Sequence, residues 1–133
     1  MEGIGGPLSG ELVGIGIDSV DVSRFAAVLE RRPSMRGRVF TTGELAFARR
    51  TANPVPSLAA RFAVKEAVMK ALGVGIGSID WTDVEIQRHD GGAPSLAVSG
   101  RAAALAAEMG VTGWKVSITH TDTVASAVVA ALT

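Results

Sequence analysis

The sequence predicts a single α+β domain in the order β-α-α-α-β-β-α-β-β, an antiparallel sheet packed against one long helix. Three observations predict it. The 133 residues suit one domain, since a second independent core would need roughly 100 more. Segments of period-two alternation stand apart from runs of helix formers, which is the α+β layout. No repeat of roughly 20 to 50 residues is present, which excludes solenoids and propellers.

Each element has its own signal. Residues 1–10 are rich in Gly, Pro and Ser and read as a flexible N-terminal extension of a domain spanning 11–133. From Leu12 the chain alternates. Val13, Ile15 and Ile17 are expected to face a core, with Gly14, Gly16 and Asp18 on the opposite face and Asp18 at the strand's end. Two glycines beside an aspartate allow something to approach the backbone closely. Asp21 or Ser23 caps a helix with Val22, Phe25, Ala26 and Leu29 inward. Thr41 and Glu44 form a capping box opening a short helix to about Arg49. Residues 51–56, with two prolines, read as loop, and Ser57 to Leu72 as a long helix stopped by Gly73.

The second half reads as strand, turn and strand, with Val84 and Ile86 before a tip at His89-Asp90-Gly91-Gly92 and Leu96 and Val98 after it. Ser99 caps a helix with Ala102, Leu105, Ala106 and Met109 inward, ended by Gly110. Trp114, Val116 and Ile118 alternate with Lys115, Ser117 and Thr119. A turn at His120 to Thr123 leads into a final apolar strand, Val124 to Leu132.

Composition narrows the function. The absence of cysteine excludes a disulfide framework, a thiolate zinc site and thiol catalysis. With two histidines, any metal is expected to be hard and oxygen-bound. Thirteen basic and thirteen acidic residues cancel, which argues against a dedicated nucleic-acid binder. No apolar run approaches the roughly 20 residues of a membrane span. MEGIGGPLSGE has neither the basic start nor the apolar core of a signal peptide. A soluble, cytoplasmic protein is the expectation. A core of small residues with 5% aromatics hints at oligomerisation.

The polar residues of interest are few. Asp18 carries a charge in an otherwise apolar strand, costly unless it is near water or paired. Phe62, Glu66 and Lys70 share one helical stripe, so Glu66 and Lys70 read either as a surface i, i+4 ion pair or as part of a functional face. Gly14-Ile15-Gly16 lies inside a strand, and Gly73-Val74-Gly75-Ile76-Gly77 follows a helix. Neither is a dinucleotide or phosphate-loop signal. His120 alone is an ordinary turn histidine.

Taken together, GIGID (14–18), RFAVKEAVMKALG (61–73) and SITHT (117–121) resemble the holo-[acyl-carrier-protein] synthases, the small trimeric class of 4′-phosphopantetheinyl transferases. RVFTTGEL (38–45) and the GAP turn at 92–94 add to the resemblance, which runs from about Leu12 to the C-terminus. It implies Mg²⁺ on Asp18 and Glu66. It implies transfer of 4′-phosphopantetheine from coenzyme A to a serine of an apo acyl carrier protein, with release of adenosine 3′,5′-bisphosphate. Catalysis falls to Asp18, Glu66, Lys70 and His120, with Glu66, or a water it orients on the metal, as base and His120 as its rival. Coenzyme A contacts carry over to Arg61, Lys70, Gly73, Gly92, Pro94, Ser117, His120 and Thr121. A homotrimer with sites between subunits is implied, the 92–94 and 117–121 segments coming from a neighbour. Arg24, Val28 and Arg31 resemble the docking face for the acidic carrier. Rival readings are a non-catalytic module binding coenzyme A or a carrier, and a metal-dependent hydrolase of another pyrophosphate compound.

Overall fold

The computed structural model describes residues 10–88 and 92–133. Residues 1–9 of the extension expected at 1–10, and the tip residues 89–91, therefore lie outside the described residues. The order is β1 (Leu12–Asp21), α1 (Val22–Arg31), α2 (Met35–Val39), α3 (Thr42–Arg49), α4 (Pro54–Leu72), β2 (Val84–Arg88), β3 (Pro94–Val98), α5 (Gly100–Glu108), β4 (Gly113–His120) and β5 (Val124–Leu132). This is the expected order with a five-residue helix, α2, added after Pro33, and a 3₁₀ turn (Trp81–Asp83) before β2.

The strands form two antiparallel sheets, β1-β5-β4 and the β2-β3 hairpin. Register aligns Gly16 with Val129 and Val116, and Asp18 with Ala127 and Ile118. This face is the one that packs on α4. The expected orientation of β1 is thus reversed: Gly16 is buried, while Ile15 and Ile17 are 60% and 62% exposed. The reason is steric. A Cβ at Gly14 or Gly16 would overlap the carbonyl oxygens of Ala71 and Ala67, so only glycine lets the strand lie this close to the helix. Val13 sits at a register shift and still packs against the core. Asp18 lies within the strand rather than at its end, since β1 continues to Asp21.

Helix α4 begins three residues earlier than expected. Asn53 caps it, accepting from the Val55 N–H at 3.2 Å, and Pro54 and Pro56 fall in the first turn, where no amide donor is needed. Gly73 ends it in the left-handed conformation, φ 71°. From Leu58 to Leu72 every residue is buried except Phe62, Glu66 and Lys70. That stripe is the one the sequence singled out.

Other caps follow the sequence with one exception. Asp21 Oδ1 accepts from the Arg24 N–H at 2.8 Å, and Thr41 and Glu44 exchange both capping-box bonds. The Ser99 side chain does not cap α5. Asp83, reaching across from the 3₁₀ turn, accepts from the Ala102 N–H at 3.2 Å instead. Glu44 has a second role. Its carboxylate pairs at 2.9 Å with Lys65, both side chains buried, and accepts from the Ile86 N–H. Lys65 also donates to the carbonyls of Trp81 and Val84. All three ammonium protons are satisfied, which is what makes a buried lysine tolerable.

Candidate functional site

Gly14 and Gly16 bring β1 against α4, and the outcome is a meeting of three charges. The Lys70 ammonium lies 3.1 Å from Asp18 Oδ1 and donates to the Ile17 carbonyl oxygen at 2.9 Å. Its ion pair is therefore with the strand aspartate and not the intrahelical one with Glu66. Glu66 and Asp18 line an open cavity of about 360 Å³, walled by Phe25, Val28, Met35 and Phe62 and with Arg24 at its rim. Burial pushes the Glu66 carboxyl above its ordinary value, the Asp18 charge pushes the same way, and Lys70 opposes both. Phe25 packs tilted on Phe62, which stacks on Trp81, with centroids 5.1 and 5.2 Å apart.

The residues expected to dock a carrier lie near the same mouth. Arg24 and Val28 line the carboxylate cavity, and Val28 and Arg31 line a neighbouring apolar cavity of about 560 Å³ that shares Met35 and Phe62 with it.

Arg61 and His120 lie elsewhere. Arg61 precedes Glu66 by five residues, about 140° around the helix, and so faces another side. It is buried, donates to Ser57 Oγ at 2.7 Å and stacks 4.5 Å over the Phe47 ring; its Nε has no partner among the described residues. Burial lowers its pKa, with Arg88 adding to the effect and Glu44 opposing it. Arg61, Arg88, His120 and Asp122 share a cavity of about 320 Å³ that has no residue in common with the carboxylate cavity. His120 thus lies in a different cavity from Asp18 and Glu66 of its own chain.

Residues 14–129 match the 4′-phosphopantetheinyl transferase superfamily. The holo-[acyl-carrier-protein] synthase of Streptomyces coelicolor is 50% identical over 120 residues, covering 90% of this chain and 97% of that protein. The chain belongs to the 4′-phosphopantetheinyl transferase superfamily. Its fold agrees with the crystal structure of the Neisseria meningitidis holo-[acyl-carrier-protein] synthase, TM-score 0.82 at 29% identity over 91% of this chain and 98% of that one. The Helicobacter pylori synthase, solved in complex with coenzyme A, matches with TM-score 0.76 at 29% identity over 88% of this chain and 98% of that one.

The remaining expected contacts of this superfamily member are scattered over its surface. Gly73 is the exposed end of α4, Gly92 is exposed beside the undescribed tip, and Pro94 opens β3 opposite Arg88. Ser117 lies on the open face of the sheet in the row of Ile17 and Val128. Thr121 braces the β4–β5 turn, accepting from the Val124 N–H at 3.1 Å. Phe47, under the Arg61 guanidinium, and Arg88, in the same cavity, were missed because they lie on other elements and carry no local motif. Met35 was missed because α2, five residues long, is too short to show a helical periodicity.

Proposed function

We propose that this protein transfers 4′-phosphopantetheine from coenzyme A to the serine hydroxyl of an apo acyl carrier protein, releasing adenosine 3′,5′-bisphosphate. The pairing of Lys70 with Asp18 beside Glu66, at a cavity with Arg24 of α1 on its rim, carries this reading. The activity named for the relatives supports it.

Asp18 and Glu66 are the residues that would hold Mg²⁺. Among the described residues no three His, Asp or Glu side chains cluster, so two hard carboxylates are the available set. That suits an ion that takes few protein oxygens and keeps sites for water and phosphate. The raised Glu66 carboxyl fits the same ion, because a cation relieves its repulsion with Asp18. When bound, Mg²⁺ supplies charge neutralisation on the pyrophosphate being cleaved.

The chain's own residues do the rest. The serine oxygen forms a bond to the phosphorus bearing pantetheine, and the bond from that phosphorus to the bridging oxygen breaks. Lys70, half-exposed and held beside Asp18, is placed to reach the departing phosphate. Glu66 is placed to take the serine proton, directly or through a water. His120 and Arg61, with Arg88, bind an anionic part of coenzyme A in their own cavity, and Gly73, Gly92, Pro94, Ser117 and Thr121 complete the contacts.

A homotrimer joins the two cavities. The open face of β1-β5-β4 exposes Ile15, Ile17 and Val128, an apolar patch of the kind that copies of one chain bury against each other. Packing there brings the Arg61–His120 cavity of one subunit to the carboxylates of the next. Both substrates are water-soluble, and the reaction is placed in the cytoplasm. Chromatography of nucleotide release from coenzyme A tests the proposal. Release that needs the apo carrier is expected. Release without any acceptor would make the protein a hydrolase, and saturable binding without release would make it a binding module.

A further inference from the structure

The loop between α4 and the 3₁₀ turn, residues 73–80, is anchored by Val74, which packs against the core, and by the buried Ile79, with a glycine-rich tip between them. Gly73, Gly75 and Gly77 have no atom within 4 Å of where a Cβ would stand, and Gly77 takes a left-handed φ of 100°. Such a segment samples many conformations unless something outside it fixes one. One side chain does. The guanidinium of Arg101, in the first turn of α5, donates to the Gly77 carbonyl at 2.8 Å, the Ser78 carbonyl at 2.9 Å and Asp80 Oδ1 at 3.2 Å. A planar fork with several donors suits this clamp in a way that a lysine's single ammonium does not. The base of the clamp is itself anchored, since Asp83 Oδ2 accepts from both the Asp80 and Ala102 N–H groups.

What the clamp places is Ile76. This side chain is 71% exposed, yet it lines the 560 Å³ cavity together with Val28 and Met35. Arg31, Arg32 and Arg38 line the same cavity. An apolar hollow edged by three arginines fits an apolar side chain flanked by carboxylates on an acidic partner. The hollow adjoins the Asp18–Glu66 cavity through Val28, Met35 and Phe62, so a partner seated in it delivers a neighbouring hydroxyl to the carboxylates.

We propose that Arg101 is a positioning residue for carrier selection, holding loop 73–80 so that Ile76 closes the hollow against an apolar side chain of the carrier protein. The inference rests on the transfer reaction proposed above. Steady-state kinetics with the apo carrier and coenzyme A varied in turn tests it, using the wild type, Arg101→Met, Arg101→Lys and Ile76→Ser. If the released loop is competent about a fifth of the time, Arg101→Met raises KM for the carrier about fivefold. Ile76→Ser raises it similarly, Arg101→Lys less, and KM for coenzyme A and kcat at saturating carrier stay within about twofold. A rise in KM for coenzyme A in place of the carrier overturns the proposal. So does an unchanged carrier KM in Ile76→Ser, even if Arg101→Met proves poorly folded. A wild type that modifies no carrier overturns the underlying transfer reading instead.

Discussion

The Lys70 ammonium stands 3.1 Å from the Asp18 carboxylate and bonds the Ile17 carbonyl oxygen beside it, so the last turns of α4 are tied to the middle of β1. The tie keeps a cation beside two carboxylates while leaving the ammonium half in solvent, as the proposed contact with a departing phosphate requires. Lys70→Ala is expected to lower transfer about a hundredfold or more, as loss of one charge-stabilising donor does in comparable sites. Because the ammonium is half in solvent, the pair contributes little, and thermal unfolding should reflect a loss of no more than about 1 kcal/mol. Carrier-modification kinetics beside a melting curve separates the two effects.

Gly16→Ala tests the close approach. The new methyl would meet the Ala67 carbonyl, a backbone atom within a buried helix that cannot move aside cheaply. A stability loss of about 1–3 kcal/mol is expected in denaturant unfolding, the range for overpacking. Activity should fall as well, because Asp18 sits two residues on. Gly113→Ala, with open space around it, should lie within about 0.5 kcal/mol of the wild type.

The site was legible in the sequence to the extent that it rested on helical spacing. Phe62, Glu66 and Lys70 recur every four residues, and they are the three residues that α4 leaves unburied between Leu58 and Leu72. The capping box at Thr41 and the stop at Gly73 were legible for the same local reasons. Which face of β1 turns inward was not. Period-two alternation gives two faces but no sign, and the apolar isoleucines pointed to the wrong one. What decides it is that glycine alone fits against the α4 carbonyls, a fact about a helix some fifty residues away. The Glu44–Lys65 pair was hidden likewise, since each partner satisfies its charge on a different element.

The N-cap of α1 makes stability depend on acid. The Arg24 amide, then the Ser23 hydroxyl, hold the Asp21 carboxyl below 3.8. A carboxyl depressed on folding stabilises above its unfolded value, and that contribution is lost as pH falls through the lower folded value. The wild type should therefore exceed Asp21→Asn in stability near neutral pH, with the gap closing below about pH 4. Urea unfolding of both proteins across that range checks the sign.

The exposed sheet face predicts assembly. Ile17→Glu puts a charge at the centre of the Ile15, Ile17 and Val128 patch, in a side chain already 62% exposed in the isolated chain. The isolated fold should tolerate it, but burial against a neighbour would strand the charge. Light scattering should fall from three chains to one, with transfer lost alongside. A single-chain mass for the wild type at working concentration would contradict shared sites.

The most direct measurement is the intact mass of an apo acyl carrier protein after incubation with this protein, coenzyme A and Mg²⁺, alongside an EDTA control and Glu66→Gln. Carriers of fatty-acid, polyketide and peptide synthesis are the substrates to try. The account predicts a mass gain of one phosphopantetheine on the carrier serine, absent with EDTA and with Glu66→Gln. No gain on any carrier, or a gain undiminished by EDTA or by the loss of Glu66, would contradict it.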